Sequence, residues 1–201
     1  MFGFELNDIS GQNQIDSLLK NLYVSNRGFA TATPFGSTTN NVPVFSGEYL
    51  VGVRPLTYGQ LLSLIAIDRV NGLAGVQFEY IILRQMDEIV PNTFGLAVYD
   101  DAGQLVFSDD RTFFNVDAIF DVAISNGVLA TGALTVGTPP FGKRFLLLPV
   151  TFAILQGPNL IKSCQFTLDS ETSISPFSST ITGGRVGSQS GTLKIVTGYI
   201  E

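Results

Sequence analysis

Apolar and polar residues alternate with a period of two along much of this chain, and that rhythm restricts the fold more than any other feature. In Val76-Gln77-Phe78-Glu79-Tyr80, Val76, Phe78 and Tyr80 share one face of an extended strand and Gln77 and Glu79 the other. Ile81 to Leu83 then runs on without a polar residue, as a strand covered on both sides does. Phe166-Thr167-Leu168 and Leu193-Lys194-Ile195-Val196 are strand-like for a related reason, being rich in aromatic and β-branched residues that suit a pleated surface. Twenty-one glycines among 201 residues exceed the background of about 7% and punctuate the chain at turn-like intervals. Short strands cut by Gly, Pro, Asn and Asp predict an all-β chain, a β-sandwich of jelly-roll-like kind with little helix. Three stretches offer a helical alternative: Ile15 to Leu22, Tyr58 to Ile67 and Asp117 to Ile124. Their strong β neighbours favour strands for most of these.

The length suits one domain, residues 1–201, large enough to hold a core without a disulfide or metal. Phe145 to Leu155 is the most apolar stretch, but it contains Pro149 and falls short of the roughly 20 residues of a membrane helix. It reads as one or two buried strands, without membrane insertion. The opening Met-Phe-Gly-Phe-Glu-Leu lacks the basic start of a secretory signal, so synthesis in a cytoplasm is expected.

Two stretches read as loops. Thr31 to Asn41 is small, polar and neutral, and Ser170 to Gly191 is rich in Ser, Thr and Gly with Ile174, Phe177, Ile181 and Val186 spaced through it. The apolar residues spaced through the second suggest extended edge segments or arms more than a free linker. An exposed neutral edge invites pairing with a neighbouring chain unless charge or twist prevents it.

An internal repeat appears at a separation of 92 residues. Phe2-Gly3-Phe4-Glu5-Leu6-Asn7-Asp8-Ile9-Ser10-Gly11-Gln12 matches Phe94-Gly95-Leu96-Ala97-Val98-Tyr99-Asp100-Asp101-Ala102-Gly103-Gln104 in Phe, Gly, Asp, Gly and Gln. The second copy reads as a hairpin. Leu96 and Val98 form one face, Asp100 to Gly103 makes the turn, and Leu105 and Phe107 return on the same side. The first copy has Asn13 and Gln14 where the second has Leu105 and Val106, so its return strand is less apolar. Duplication and independent recurrence of common hairpin chemistry both account for the match.

At residues 2–16 and 94–109 the chain resembles tail-associated virion proteins of double-stranded DNA bacteriophages, those of the tail tip and tail-fibre region. The resemblance covers about thirty residues. It implies a β-sandwich structural subunit at the distal end of a tail, with no catalytic residue to carry over and other tail proteins as partners.

Chemistry is sparsely provided for. Histidine is absent, so every mechanism that depends on an imidazole is excluded. Asp87-Glu88, Asp100-Asp101 and Asp109-Asp110 are paired acids, compatible in type with calcium ligation or a glycosidase pair. Their contexts read instead as turns and solvated strand ends. Gly183-Gly184-Arg185-Val186-Gly187-Ser188-Gln189-Ser190-Gly191 lacks the Lys-Ser/Thr of a phosphate loop and has Gln189 where a nucleophile elbow needs Ser. Cys164 has no base to activate it and reads as a small buried hydrophobe. Lys143-Arg144 is the densest basic pair, too small to track phosphates, and the net charge is −6, so nucleic acid is not an expected partner. Phe113-Phe114, Phe141 and Phe177 are candidates for a sugar-stacking platform, which would suit a host-surface glycan, although Phe in strands more often builds the core. No catalytic, cofactor or metal site is expected.

The remaining feature is scarcity of charge. Hydrophobic residues reach 45% and charged residues only 14%, against about 25% in an average globular protein. Disorder is excluded by the same figures. A surface this thinly charged predicts contact with other subunits: a homo-oligomer, a ring or trimer, within a virion tail.

Overall fold

In the computed structural model, residues 5–7, 13–16, 22–34, 37, 39–43, 46, 49–66, 68–85, 97–99, 102–103, 105–108, 111–125, 128–129, 132–139, 143–147, 153–155, 161–180 and 191–200 are described. Every regular element among them is a strand. In chain order these are β1 (Glu5–Asn7), β2 (Asn13–Asp16), β3 (Leu22–Thr31), β4 (Thr33–Pro34), β5 (Leu50–Pro55), β6 (Leu61–Ala66), β7 (Arg69–Gly72), β8 (Gln77–Gln85) and β9 (Ala97–Tyr99). They continue as β10 (Leu105–Ser108), β11 (Phe114–Ser125), β12 (Val128–Leu129), β13 (Leu134–Thr135), β14 (Lys143–Leu147), β15 (Ala153–Leu155), β16 (Ile161–Ser170), β17 (Ser173–Thr180) and β18 (Gly191–Ile200). The three stretches with helical alternatives are not helical where described: they fall on β2 and the first residue of β3, on the turn before β6 and β6 itself, and on β11.

The strands form a β-sandwich. One sheet has the order β12-β11-β18-β14-β5-β8-β3, and the other β13-β17-β16-β6-β7-β4 with β15 also on β16. Val53, Phe78, Leu146 and Ile195 of the first sheet pack against Leu62, Val70, Phe166 and Leu168 of the second. Val76, Phe78 and Tyr80 lie on this face together, as their alternation predicts.

The first sheet also buries its other face, and it does so against itself. It rolls until β3 meets the start of β11, where Tyr23 bridges Phe113 and the Val24 amide donates to the Thr112 carbonyl at 2.8 Å. Six strands thereby surround a second apolar core made of Leu22, Val24, Ile81, Leu83, Phe114, Phe145, Leu147, Val196 and Ile200. Such a small barrel leaves little room between strands. A Cβ on Gly198 would lie 2.5 Å from the Phe114 ring and against the Asn115 carbonyl oxygen, a backbone atom that cannot step aside. Gly198→Ala is therefore expected to cost about 2 kcal/mol and to lower the thermal midpoint by roughly 4–8 °C. Calorimetry would measure it, and an unchanged midpoint would contradict this packing.

Two hairpins stand apart as two-stranded sheets, β1-β2 and β9-β10. Both carry the repeat, and the correspondence extends to register. Leu6 pairs Ile15 and Asn7 pairs Asn13, while Val98 pairs Phe107 and Tyr99 pairs Leu105, each with one extra residue at the same step. Gly103 has φ of 75°, the positive value expected for its turn. The likeness continues into the next strand: β3 has a bulge at Ser25 and β11 has one at Asp117, again 92 residues apart. In the sheet, β3-β8-β5 and β11-β18-β14 have mirrored order about the β5–β14 junction.

As free arms both stretches require correction, while the extended segment also expected of the second is present. Residues 173–180 form β17, paired along β16 with Ile174 buried, because the Ser/Thr-rich run alternates and has a long neighbour to pair with. Within 31–41, Ala32 is buried and Thr33-Pro34 pairs parallel with β7, so that described part of the stretch is tied to the second sheet. Residues 181–190, with Ile181 and Val186, lie outside the described residues.

Candidate functional site

The densest set of ionisable groups among the described residues is a chain of side chains crossing one end of the first sheet. It begins on β8. Period two puts Glu79 on the same face as Ile81 and Leu83, which is the barrel interior, so its carboxylate is carried inward and is only 1% exposed. Arg54 reaches it from the paired position on β5, donating from Nε to Oε2 at 2.8 Å, and Arg27 on β3 donates from Nε to Oε1. The Arg54 guanidinium also lies over the Phe145 ring, 5.9 Å from its centroid, a position suited to a cation–π contact.

Glu171, in the turn between β16 and β17, brings the second sheet into the network. Its Oε1 lies 3.8 Å from Arg54 Nη1 and accepts from the Tyr58 hydroxyl, and its Oε2 accepts from the Arg144 amide at 3.0 Å. Arg144 follows on β14 with its side chain fully buried. It donates to the Glu171 carbonyl, to the Gly137 carbonyl at 2.6 Å and to Asp117 Oδ2, while Thr197 on β18 donates to Asp117 Oδ1. Asp117 reaches Arg144 because it is the extra residue of the β11 bulge, a device that re-aims a side chain out of the alternation.

Burial first, then the hydrogen bond to Glu171 and that carboxylate's charge, push the Tyr58 hydroxyl up to about 12. Folding favours the protonated phenol. Its contribution is therefore complete below the ordinary tyrosine value of about 10 and is lost as pH rises from there through 12. In an ultraviolet titration Tyr58 should ionise near pH 12, and Tyr58→Phe should remove that late component. Persistence of the component in the variant would refute the assignment.

No family model, curated protein or solved structure matches this chain.

Of the sequence-predicted candidates among the described residues, Arg144 alone joins this network. The Lys143-Arg144 pair is split by strand alternation, Lys143 to solvent and Arg144 to the interior. Phe114 is buried inside the barrel, so it is not part of an exposed stacking platform. Phe113 is half-buried at the β3–β11 closure, and Arg111 lies 5.2 Å over the Tyr23 ring beside it. Cys164 sits on β16 opposite Ser178, in the strand context expected, with its side chain outside the described residues. Asp87-Glu88, Asp100-Asp101, Asp109-Asp110, Phe141 and residues 183–190 also lie outside the described residues, as does the Phe177 side chain. Among the described residues no group of three or more His, Cys, Asp or Glu could hold a metal ion, and no helix is long and apolar enough to cross a membrane.

The network was missed in the sequence because its members are single residues scattered from 27 to 197. Arg54 and Glu79 carry one usable signal, a lone opposite charge inside each of two apolar strands. Each is also covered on both faces, so burial of one demands the other.

Proposed function

We propose that this chain is a non-enzymatic structural subunit of a bacteriophage virion tail, acting by packing against copies of itself and other tail proteins. One observation carries the reading furthest: large apolar side chains remain in water on the outside of a thinly charged sandwich. Phe29 is 67% exposed, Leu73 62% and Ile119 61%. Scattered exposed leucines are ordinary, but such side chains on a chain with 14% charged residues favour covered surfaces in the working state. The ionic network points the same way, since its arginines and carboxylates are engaged with one another and Glu171 ties the second sheet to the first. The two hairpins that resemble tail proteins share a register and supply the expectation of a tail.

Antibody labelling of intact particles tests the proposal. Label at one position on the tail supports it, label over the head would replace it with capsid decoration, and particles free of the chain would overturn it. A glycan-binding role has one observation in its favour, the exposed Tyr58 ring beside Glu171 and Arg54. Glycan-array binding abolished by Tyr58→Ala would establish that reading instead.

A further inference from the structure

We propose that a second copy of this chain docks by strand pairing between the outer edge of β3 and the outer edge of β11, antiparallel and in one register. This rests on the self-packing reading above and supplies its contact. β3 is the last strand of its sheet, and β12 covers β11 only at Ile124 and Ser125. The two edges meet each other only at their beginnings, around Tyr23 and Phe113. The bulges at Ser25 and Asp117 follow directly on that junction, and a bulge interrupts regular pairing and bends its strand. Beyond them, the outward backbone groups of residues 26–30 and 119–123 have no partner among the described residues. An unpaired edge of this kind is a template for another strand.

Side chains select the partner and the register. On β3, Arg27 and Phe29 share the face of Ile81 and Glu79, while Gly28 and Ala30 face the inter-sheet core. On β11, Ile119 and Asp121 share the face of Val196 and Lys194, while Ala118 and Phe120 face that core. Setting Arg27 opposite Asp121 of the second copy places Phe29 opposite Ile119, the two most exposed large apolar side chains on these strands. It also sets Gly28 opposite Phe120 and Ala30 opposite Ala118, so the core-facing rows of both copies run on in line. A slip of one residue would turn every pair to the wrong face. Pairing β11 with β11 about Ile119 would instead set the bulge residue Asp117 opposite Asp121 at both ends, where the ladder is broken. Each copy offers one edge of each kind, so the contact is head-to-tail and repeats from copy to copy.

The full chain in a Cys164→Ser background tests this. Phe29→Cys and Ile119→Cys proteins, mixed and oxidised, should give a disulfide-linked dimer that neither forms alone, since directly opposed residues lie within disulfide reach. In sedimentation, Phe29→Lys and Ile119→Lys should each weaken self-association about tenfold or more, the loss expected when a large apolar side chain no longer leaves water. Both positions are exposed, so thermal midpoints should hold. Self-association that survives both lysines, with no mixed disulfide, would overturn this docking mode while leaving the assembly reading standing. A wild-type chain that stays monomeric at millimolar concentration would overturn the docking mode, and particle labelling would then decide the assembly reading separately. A Phe29→Cys dimer formed alone as readily as the mixed one would replace the register with a β3–β3 contact.

Discussion

Asp117→Ala should destabilise the protein by about 3–5 kcal/mol, the cost of leaving a buried charge without its partner. Arg144 is fully buried, and Asp117 is its carboxylate partner; its other acceptors, Gly137 and Glu171, contribute neutral carbonyls. Removing that carboxylate strands a cation that water cannot reach. Thr197 simultaneously loses the acceptor for its hydroxyl. For a domain of this length the thermal midpoint should fall by roughly 10 °C or more. Asp117→Asn keeps an acceptor but not the charge and should fall between Ala and wild type. The informative control is the double variant Asp117→Ala with Arg144→Met. Removing both charges and refilling the volume should recover most of the loss, because the pair's net worth is much smaller than the penalty for orphaning one member. A double variant as unstable as Asp117→Ala would show that packing, not charge, dominates here.

Glu79→Ala is expected to be of the same order, about 3–5 kcal/mol, for a related reason with a different geometry. Glu79 is 1% exposed and Arg54 7%, and they occupy directly paired positions on β8 and β5. Without Glu79, Arg54 keeps, among the described residues, Glu171 at 3.8 Å and the face of Phe145. Arg27 is half-exposed and turns to water at little cost. The expected signature is therefore asymmetric: Arg27→Ala should cost about 1 kcal/mol or less, as partly exposed pairs do, while Glu79→Ala costs several times more. Denaturant midpoints for the two variants would decide it, and equal effects would count against the burial argument.

The contrast between Glu79 and Gln77 shows where sequence reasoning stopped. The alternation in Val76 to Tyr80 correctly separates two faces, and Ile81 to Leu83 is covered on both sides as its apolar run implies. Nothing local says that the polar face turns from solvent at Gln77 to the barrel interior at Glu79, because the interior is created only when β3 closes on β11. The hairpin at 97–108 was legible for the opposite reason: its turn glycine and its flanking strands are neighbours in the chain. The spaced apolar residues of the Ser/Thr-rich stretch made it legible as extended, but not whether it lay free as an arm; the long pairing partner β16 fixes residues 173–180 in the second sheet. Of the site, Arg144 was visible merely as half of a basic pair. Its partner Asp117 could not be found from periodicity, since a bulge is a break in periodicity.

By itself the sequence determined the all-β class, the turn chemistry, the repeated hairpin and the lack of imidazole chemistry, because these follow from near-neighbour sterics and from residue types present or missing. Only the tertiary structure decided which charges are buried together, since that depends on strands from distant parts of the chain bringing Glu79, Arg54 and Arg144 inside at one end. It also decided which edges are left open, because an edge exists only once every other strand has found its neighbour.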